Sequence, residues 1–158
     1  MAKTLWKETL KLWAFTLVNI PLIFWLRPKV LELTEARSVI LIPMGRRSRN
    51  HLKSMYFAVL CAGADLAPGL LTLNVLGKQT VKCSFLFKDF QADFLKRCEG
   101  DACFTCSEGL AISEAVARAV QTRERQNVTL NVTATVPSLS GDEVIARFKL
   151  TISIKAKN

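Results

Sequence analysis

The chain has 158 residues, 22 of them Lys or Arg against 13 Asp or Glu, with one His and a formal net charge of +9. Half of the residues are hydrophobic and 22% are charged, which excludes a disordered chain, because disorder needs low hydrophobicity together with high net charge. The length suits one domain with one core, and the single histidine, His51, excludes a metal enzyme built on several imidazoles.

Five cysteines, Cys61, Cys83, Cys98, Cys103 and Cys106, make an odd set and read as reduced thiols of a cytoplasmic protein. Cys98, Cys103 and Cys106 have C-x4-C-x2-C spacing but lack the fourth cysteine of an iron-sulfur pattern. In an extended segment Cys103 and Cys106 point to opposite faces, so no metal is expected.

In chain order, Thr4 reads as a cap and Trp6, Leu10, Trp13 and Leu17 recur at helical spacing, with Lys3, Lys7 and Lys11 on or beside the other face. Pro21 and Pro28 then punctuate the chain, so Leu22 to Leu26 is predicted as a short second helical piece. The apolar run Leu12 to Leu26 is broken by Asn19 and Pro21 and falls short of the ~20 residues of a spanning helix. Arg27-Pro28-Lys29 follows it where a secretory signal would carry a cleavage site, so secretion is not expected. Two readings stay open for residues 1–30: a cover packed on the core of a domain spanning 31–158, or a peripheral contact with a membrane surface through the tryptophans and lysines.

Ser38 to Pro43 is β-branched and apolar and reads as a strand, followed by an exposed basic loop from Gly45 to Lys53. From Ser54, taken as a cap, the chain is apolar through Leu66 and predicts a buried helix that Ala67-Pro68-Gly69 kinks or ends. Leu70 to Leu76 reads as a second helical stretch stopped by Gly77. The period then changes to two: Val81, Cys83, Phe85 and Phe87 face inward, and Phe90, Ala92 and Phe94 resume one residue out of phase, which implies a bulge at Lys88-Asp89. Glu99-Gly100-Asp101 reads as a hairpin turn into Ala102 to Ser107, and Ser113 as the cap of a helix through Arg123 with Val116 and Val120 on its apolar side.

The last forty residues alternate most cleanly. Val128, Leu130, Val132, Ala134 and Val136 face one way and Asn127, Thr129, Asn131, Thr133 and Thr135 the other. Pro137 to Asp142 turns the chain into a partner strand whose inward positions are Val144, Ala146, Phe148, Leu150, Ile152 and Ile154. The sum is an α+β fold: a curved antiparallel sheet of five to six strands around one strongly apolar helix, plus an N-terminal helix.

Asp65 is the one acidic residue between Glu35 and Asp89 and lies in the apolar segment Ala58 to Leu66. It reads either as a helix-end carboxylate facing solvent or as a general base or nucleophile in an apolar cleft, where burial raises its pKa. The basic residues Arg46, Arg47, Arg49 and Lys53 suit phosphate groups or simply a solvated surface. No nucleic-acid motif with interleaved aromatics is present, so no specific nucleic-acid partner is expected.

The order of these elements, with Leu10-Lys11-Leu12-Trp13, Ile42-Pro43-Met44, Arg49-Asn50-His51, Ser54 to Leu60, Asp65 and Asp142 to Lys155, resembles the hotdog-fold acyl-CoA thioesterase superfamily, in particular its thioesterase-like branch with an N-terminal helical extension. That resemblance implies hydrolysis of an acyl thioester, with coenzyme A as part of the substrate and no separate cofactor, in a homodimer or dimer of dimers. It implies Asp65 and Asn50 as catalytic residues. His51, Cys61, Arg46, Arg47 and Arg49 would contact substrate, and Phe57-Ala58 stand where the family has a Gly-Gly turn whose backbone N–H groups polarise the carbonyl. A non-catalytic acyl or lipid binder, or an interaction module, is the alternative.

Overall fold

The computed structural model describes residues 3–157. α1 (Trp6–Asn19) and α2 (Pro21–Leu26) open the chain, with Pro21 at the first position of α2, where its missing N–H leaves no helical bond unmade. The residue capping α1 is Leu5 and no side chain caps it, so Thr4 does not serve as expected.

The alternation pattern did not announce β1 (Lys29–Leu33), which pairs antiparallel with β2 (Ser38–Ile42), Val30 opposite Ile40. The other edge of β1 is closed by α1. Leu5 N–H donates to the Val30 carbonyl at 2.8 Å, and Val30 N–H donates to Thr9 Oγ1 at 3.0 Å. This requirement sets the rotation of α1: Thr9, Leu12 and Thr16 turn inward, while Trp6, Leu10 and Leu17 of the expected apolar stripe are exposed. A strand edge needs hydrogen-bonding partners more than it needs another apolar neighbour. Of the stripe only Trp13 is half-buried, its indole N–H donating to the Pro28 carbonyl at 2.7 Å.

α3 (Phe57–Leu76) begins three residues after Ser54 and runs unbroken through Pro68 to the C-cap Gly77. The proline supplies no N–H to the Ala64 carbonyl one turn back; close by, the Ser38 hydroxyl donates to the Ala67 carbonyl at 2.6 Å and Thr72 to the Pro68 carbonyl at 2.8 Å. The first of these pins α3 to β2. α3 is long and apolar enough to cross a membrane by composition, but more than half of it is buried inside the fold, as the core helix of a domain.

β3 (Cys83–Phe94), β4 (Ala102–Cys106), β5 (Gln126–Thr135) and β6 (Val144–Ala156) complete a six-stranded antiparallel sheet in the order β1-β2-β4-β5-β6-β3. The bulge expected at Lys88-Asp89 is present as a register shift between Phe87 and Asp89, and Asp89 Oδ1 accepts from Thr151 N–H at 2.9 Å across it. The expected β5–β6 hairpin is formed, with Leu130 opposite Leu150 and Val132 opposite Phe148. Its connection holds a short helix, α5 (Pro137–Ser140). Glu99-Gly100-Asp101, however, is not a hairpin turn: β3 pairs with β6 whereas β4 pairs with β2 and β5, so this segment crosses between separate parts of the sheet. Asp101 Oδ1 instead accepts from Met44 N–H at 2.8 Å.

α4 (Gly109–Thr122) starts four residues before the expected cap Ser113 and ends at Arg123, whose left-handed φ of 59° terminates it. It packs against β5, β6 and α3, and α3 against β2, β4, β5 and β6. Ile40, Ile42, Phe104, Leu130, Leu150 and Ile152 are fully buried between them. Phe90 and Phe94, expected in the core, are exposed, and Phe85, Phe87, Val128 and Val144 are half-buried. β3 lies at the edge of the sheet, where no neighbouring strand covers its flank. A six-stranded antiparallel sheet packed on one long helix, with this strand order, is the hotdog fold expected from the sequence.

Candidate active site

The residues between β2 and α3 form a tightly bonded loop. Asn50 Oδ1 accepts from Leu52 N–H, Ser54 N–H and Ser54 Oγ–H at 2.9, 3.2 and 3.3 Å, an Asx arrangement that turns the chain on itself. Ser48 Oγ–H donates to the Pro43 carbonyl at 2.8 Å, Tyr56 N–H to the Ser48 carbonyl at 2.7 Å and Met55 N–H to the Cys98 carbonyl at 2.7 Å. These bonds fix where α3 begins. Ser54, read as the helix cap, is spent on Asn50 instead.

A cleft of about 750 Å³ opens at that helix start, lined by Asn50, His51, Tyr56, Phe57 and Leu60 on one side and by Phe94, Lys96, Arg97 and Cys98 on the other. Its apolar wall is a run of aromatic contacts: Tyr56 to Phe57 at 5.0 Å between ring centres, Phe57 to Phe94 at 6.2 Å and Phe94 to the buried Phe148 at 6.0 Å. α3 has no side-chain cap, and Val59 and Leu60 N–H already turn back to the Tyr56 carbonyl. The N–H groups of Phe57 and Ala58 are the first-turn donors without a helical acceptor. They carry the positive end of a helix dipole into the cleft region.

Asp65 lies two turns further along α3. At helical spacing it shares a stripe with Ala58, Cys61, Ala62 and Gly69, all half-buried or exposed. Beside Gly69 sits the ring of Phe87 from β3. Asp65 is half-buried and, among the described residues, makes no salt bridge and accepts no side-chain hydrogen bond. Burial pushes its carboxyl above the ordinary carboxylate range. Burial likewise raises the Cys61 thiol.

Of the residues singled out in the sequence, the cleft gathers Asn50, His51 and Phe57. Asp65, Ala58 and Cys61 stand along the exposed stripe of α3 outside its lining. Arg46, Arg47 and Arg49 are exposed and line none of it. Arg47 turns to α2, its guanidinium 4.7 Å from the Trp25 ring centre. The cations that do line the cleft, Lys96 and Arg97, come from the β3–β4 crossover; Lys96 pairs with Glu143. Their position depends on a non-local strand order that has no short-range signature. Cys98, Cys103 and Cys106 are buried, and burial pushes each thiol up to about 11, which keeps them protonated and unreactive at neutral pH. Among the described residues no group of three or more His, Cys, Asp or Glu is placed to hold a metal ion.

In fold, this sheet and this helix define a protein of the hotdog class. The chain belongs to the family described as "Domain of unknown function (DUF4442)", which matches residues 11–154. Solved structures of similar fold include a Pseudomonas aeruginosa protein of unknown function described as a probable thioesterase. It is 18% identical, with a TM-score of 0.76 over 93% of this chain and 95% of that one. A protein of unknown function from Chlorobaculum tepidum is 12% identical, with a TM-score of 0.76 over 99% of both chains. A thioesterase of Haemophilus influenzae is 13% identical, with a TM-score of 0.67 over 92% of this chain and 88% of that one. No curated protein matches the sequence.

Proposed function

We propose that the protein hydrolyses an acyl thioester, with Asp65 as general base or nucleophile and the N–H groups of Phe57 and Ala58 as the donors that stabilise the oxyanion. The observation that carries this reading is that α3 offers both parts of such a site, an apolar cleft at its uncapped start and a lone, half-buried carboxylate two turns on, which a second copy would bring to the cleft. Water activated by Asp65 adds to the thioester carbonyl, the tetrahedral oxyanion collapses, and the C–S bond breaks to release thiol and carboxylic acid. Direct attack by the carboxylate would give an anhydride that water then cleaves to the same products. The aromatic wall of Tyr56, Phe57 and Phe94 suits an acyl chain, and Arg97 at its rim suits the phosphates of coenzyme A.

One chain does not complete this site. Phe57 and Asp65 are eight residues apart on one helix, about 12 Å along its axis, too far to act on one carbonyl. The reading therefore takes Asp65 from a second copy. β3 offers the place for it: a twelve-residue strand paired on one side by β6 and open on the other, next to the half-buried Phe85 and Phe87.

A second reading, a hotdog protein that binds acyl groups without hydrolysing them, is favoured by two observations. Phe57 fills the position of the small turn residue, and the Asn50 Oδ1 is consumed by its own loop. The test is acyl-CoA hydrolysis by wild type and Asp65→Asn, with ligand-induced thermal stabilisation measured on both. Turnover by wild type and its loss in Asp65→Asn supports the esterase, whereas stabilisation without turnover in wild type moves the function to binding.

A further inference from the structure

We infer that the outward face of α1 and α2 docks on an anionic lipid surface. Among the described residues, nine of the nineteen exposed large hydrophobic side chains fall between Leu5 and Trp25, and Trp6, Leu10, Leu17, Val18, Leu22 and Trp25 are each more than half exposed. Scattered apolar residues are ordinary on a protein surface, but this density within two short adjacent helices is not. Its cause is the rotation of α1 described above. Thr9 and Thr16 occupy the inward face, Thr9 to close the edge of β1 and Thr16 bonded to the Leu12 carbonyl at 2.8 Å. The more apolar side of the helix is left without a partner in the fold.

The charge around this face specifies its partner. Lys3, Lys7 and Lys11 line one cleft beside Trp6 at the start of α1. The Arg27 guanidinium stacks 4.8 Å from the Trp13 ring centre and 4.3 Å from that of Phe24, and Arg47 stacks 4.7 Å from that of Trp25. The nearby acid Glu8 is already paired with Lys11. Tryptophan at the level of the headgroups with flanking lysine and arginine is the composition of an interfacial helix. Two copies of the face meeting each other would oppose these cations, whereas a bilayer containing anionic lipid neutralises them and accepts protruding side chains without a matching groove. The inference does not depend on the thioesterase reading.

The three tryptophans of the chain all lie in α1 and α2, Trp6 and Trp25 exposed on this face and Trp13 half-buried beside Trp6, so tryptophan fluorescence reports on these two helices. The full chain is mixed with vesicles of phosphatidylcholine containing 30% phosphatidylserine and with pure phosphatidylcholine. The expected result is a blue shift and co-sedimentation with the anionic vesicles, weakened by salt. Partitioning should fall roughly 30-fold in Lys3→Gln/Lys7→Gln and be abolished in Leu10→Ser/Leu17→Ser/Leu22→Ser, whose positions are exposed and whose circular dichroism and melting should match wild type. No binding to either vesicle overturns the inference, as does equal binding to both. Self-association without vesicles that the triple serine variant removes would overturn it in favour of a contact between copies.

Discussion

The ring of Phe104 on β4 lies so close to Gly63 on α3 that a Cβ at Gly63 would overlap it. Phe104 is fully buried between the sheet and the helix, so it has nowhere to move. Gly63→Ala should therefore destabilise the protein by about 1–3 kcal/mol, although alanine favours helices, because overpacking outweighs propensity. Urea denaturation of the variant checks this; an unchanged or higher midpoint would mean that helix and sheet can separate at this point without loss.

Phe148 is buried and touches Phe90, Phe94 and Phe104 with ring centres 5.8, 6.0 and 6.4 Å away. Phe148→Ala should cost about 3–5 kcal/mol and also loosen the aromatic wall of the cleft, since Phe94 would lose its support. Chemical denaturation reads the first effect, and a loss below 1 kcal/mol would contradict the packing.

Thr9→Val keeps the shape of the side chain but removes the acceptor for the Val30 N–H, which lies at the outer edge of β1 and is buried by α1. An orphaned buried donor costs about 1–3 kcal/mol. Hydrogen exchange should show the Val30 amide losing protection before the rest of the sheet, a local effect that a general loss of packing would not produce.

Asp65 ties pH to stability and, in the proposed mechanism, to rate. Its carboxyl pKa is raised by burial in the folded state, so the native protein holds the proton more tightly than the unfolded chain does, and stability falls as pH rises through the folded-state value. Asp65→Asn should thus melt higher than wild type at neutral pH, with the difference vanishing by about pH 3, below the ordinary carboxylate pKa. If Asp65 is the base, the same substitution lowers hydrolysis by about two to four orders of magnitude. Wild-type activity should also fall on the acid side at a pH above that of an ordinary aspartate. A variant that is both fully active and no more stable would remove Asp65 from the mechanism.

Pairing through the open edge of β3 predicts a particle of about twice 17.6 kDa in sedimentation equilibrium. Phe87→Lys, on the half-buried flank beside Gly69, should shift it toward monomer and reduce turnover with it, because the proposed site draws on two chains. A monomeric wild type with full turnover would show that one chain suffices.

Local pattern determined most of what the chain is. The alternation of Val128 to Val136 against Val144 to Ile154 sets the inward face of β5 and β6, because a period of two leaves only one register that buries both apolar sets. The phase skip at Lys88-Asp89 marked the bulge in β3 for the same reason, and the lone Asp65 in an apolar run is the half-buried carboxylate of α3. What tertiary structure alone decided are the features set by hydrogen bonds and contacts between distant segments. β1 exists because β2 and α1 satisfy its two edges. α3 passes Pro68 while packed on β2, to which the Ser38 hydroxyl ties the Ala67 carbonyl. Lys96 and Arg97 reach the cleft because β3 pairs with β6 across the sheet. The side of α1 that faces the core was legible from hydrophobicity only in the wrong sense: the unpaired backbone of a strand edge drew Thr9 inward, and Trp6, Leu10 and Leu17 of the apolar stripe were left on the surface.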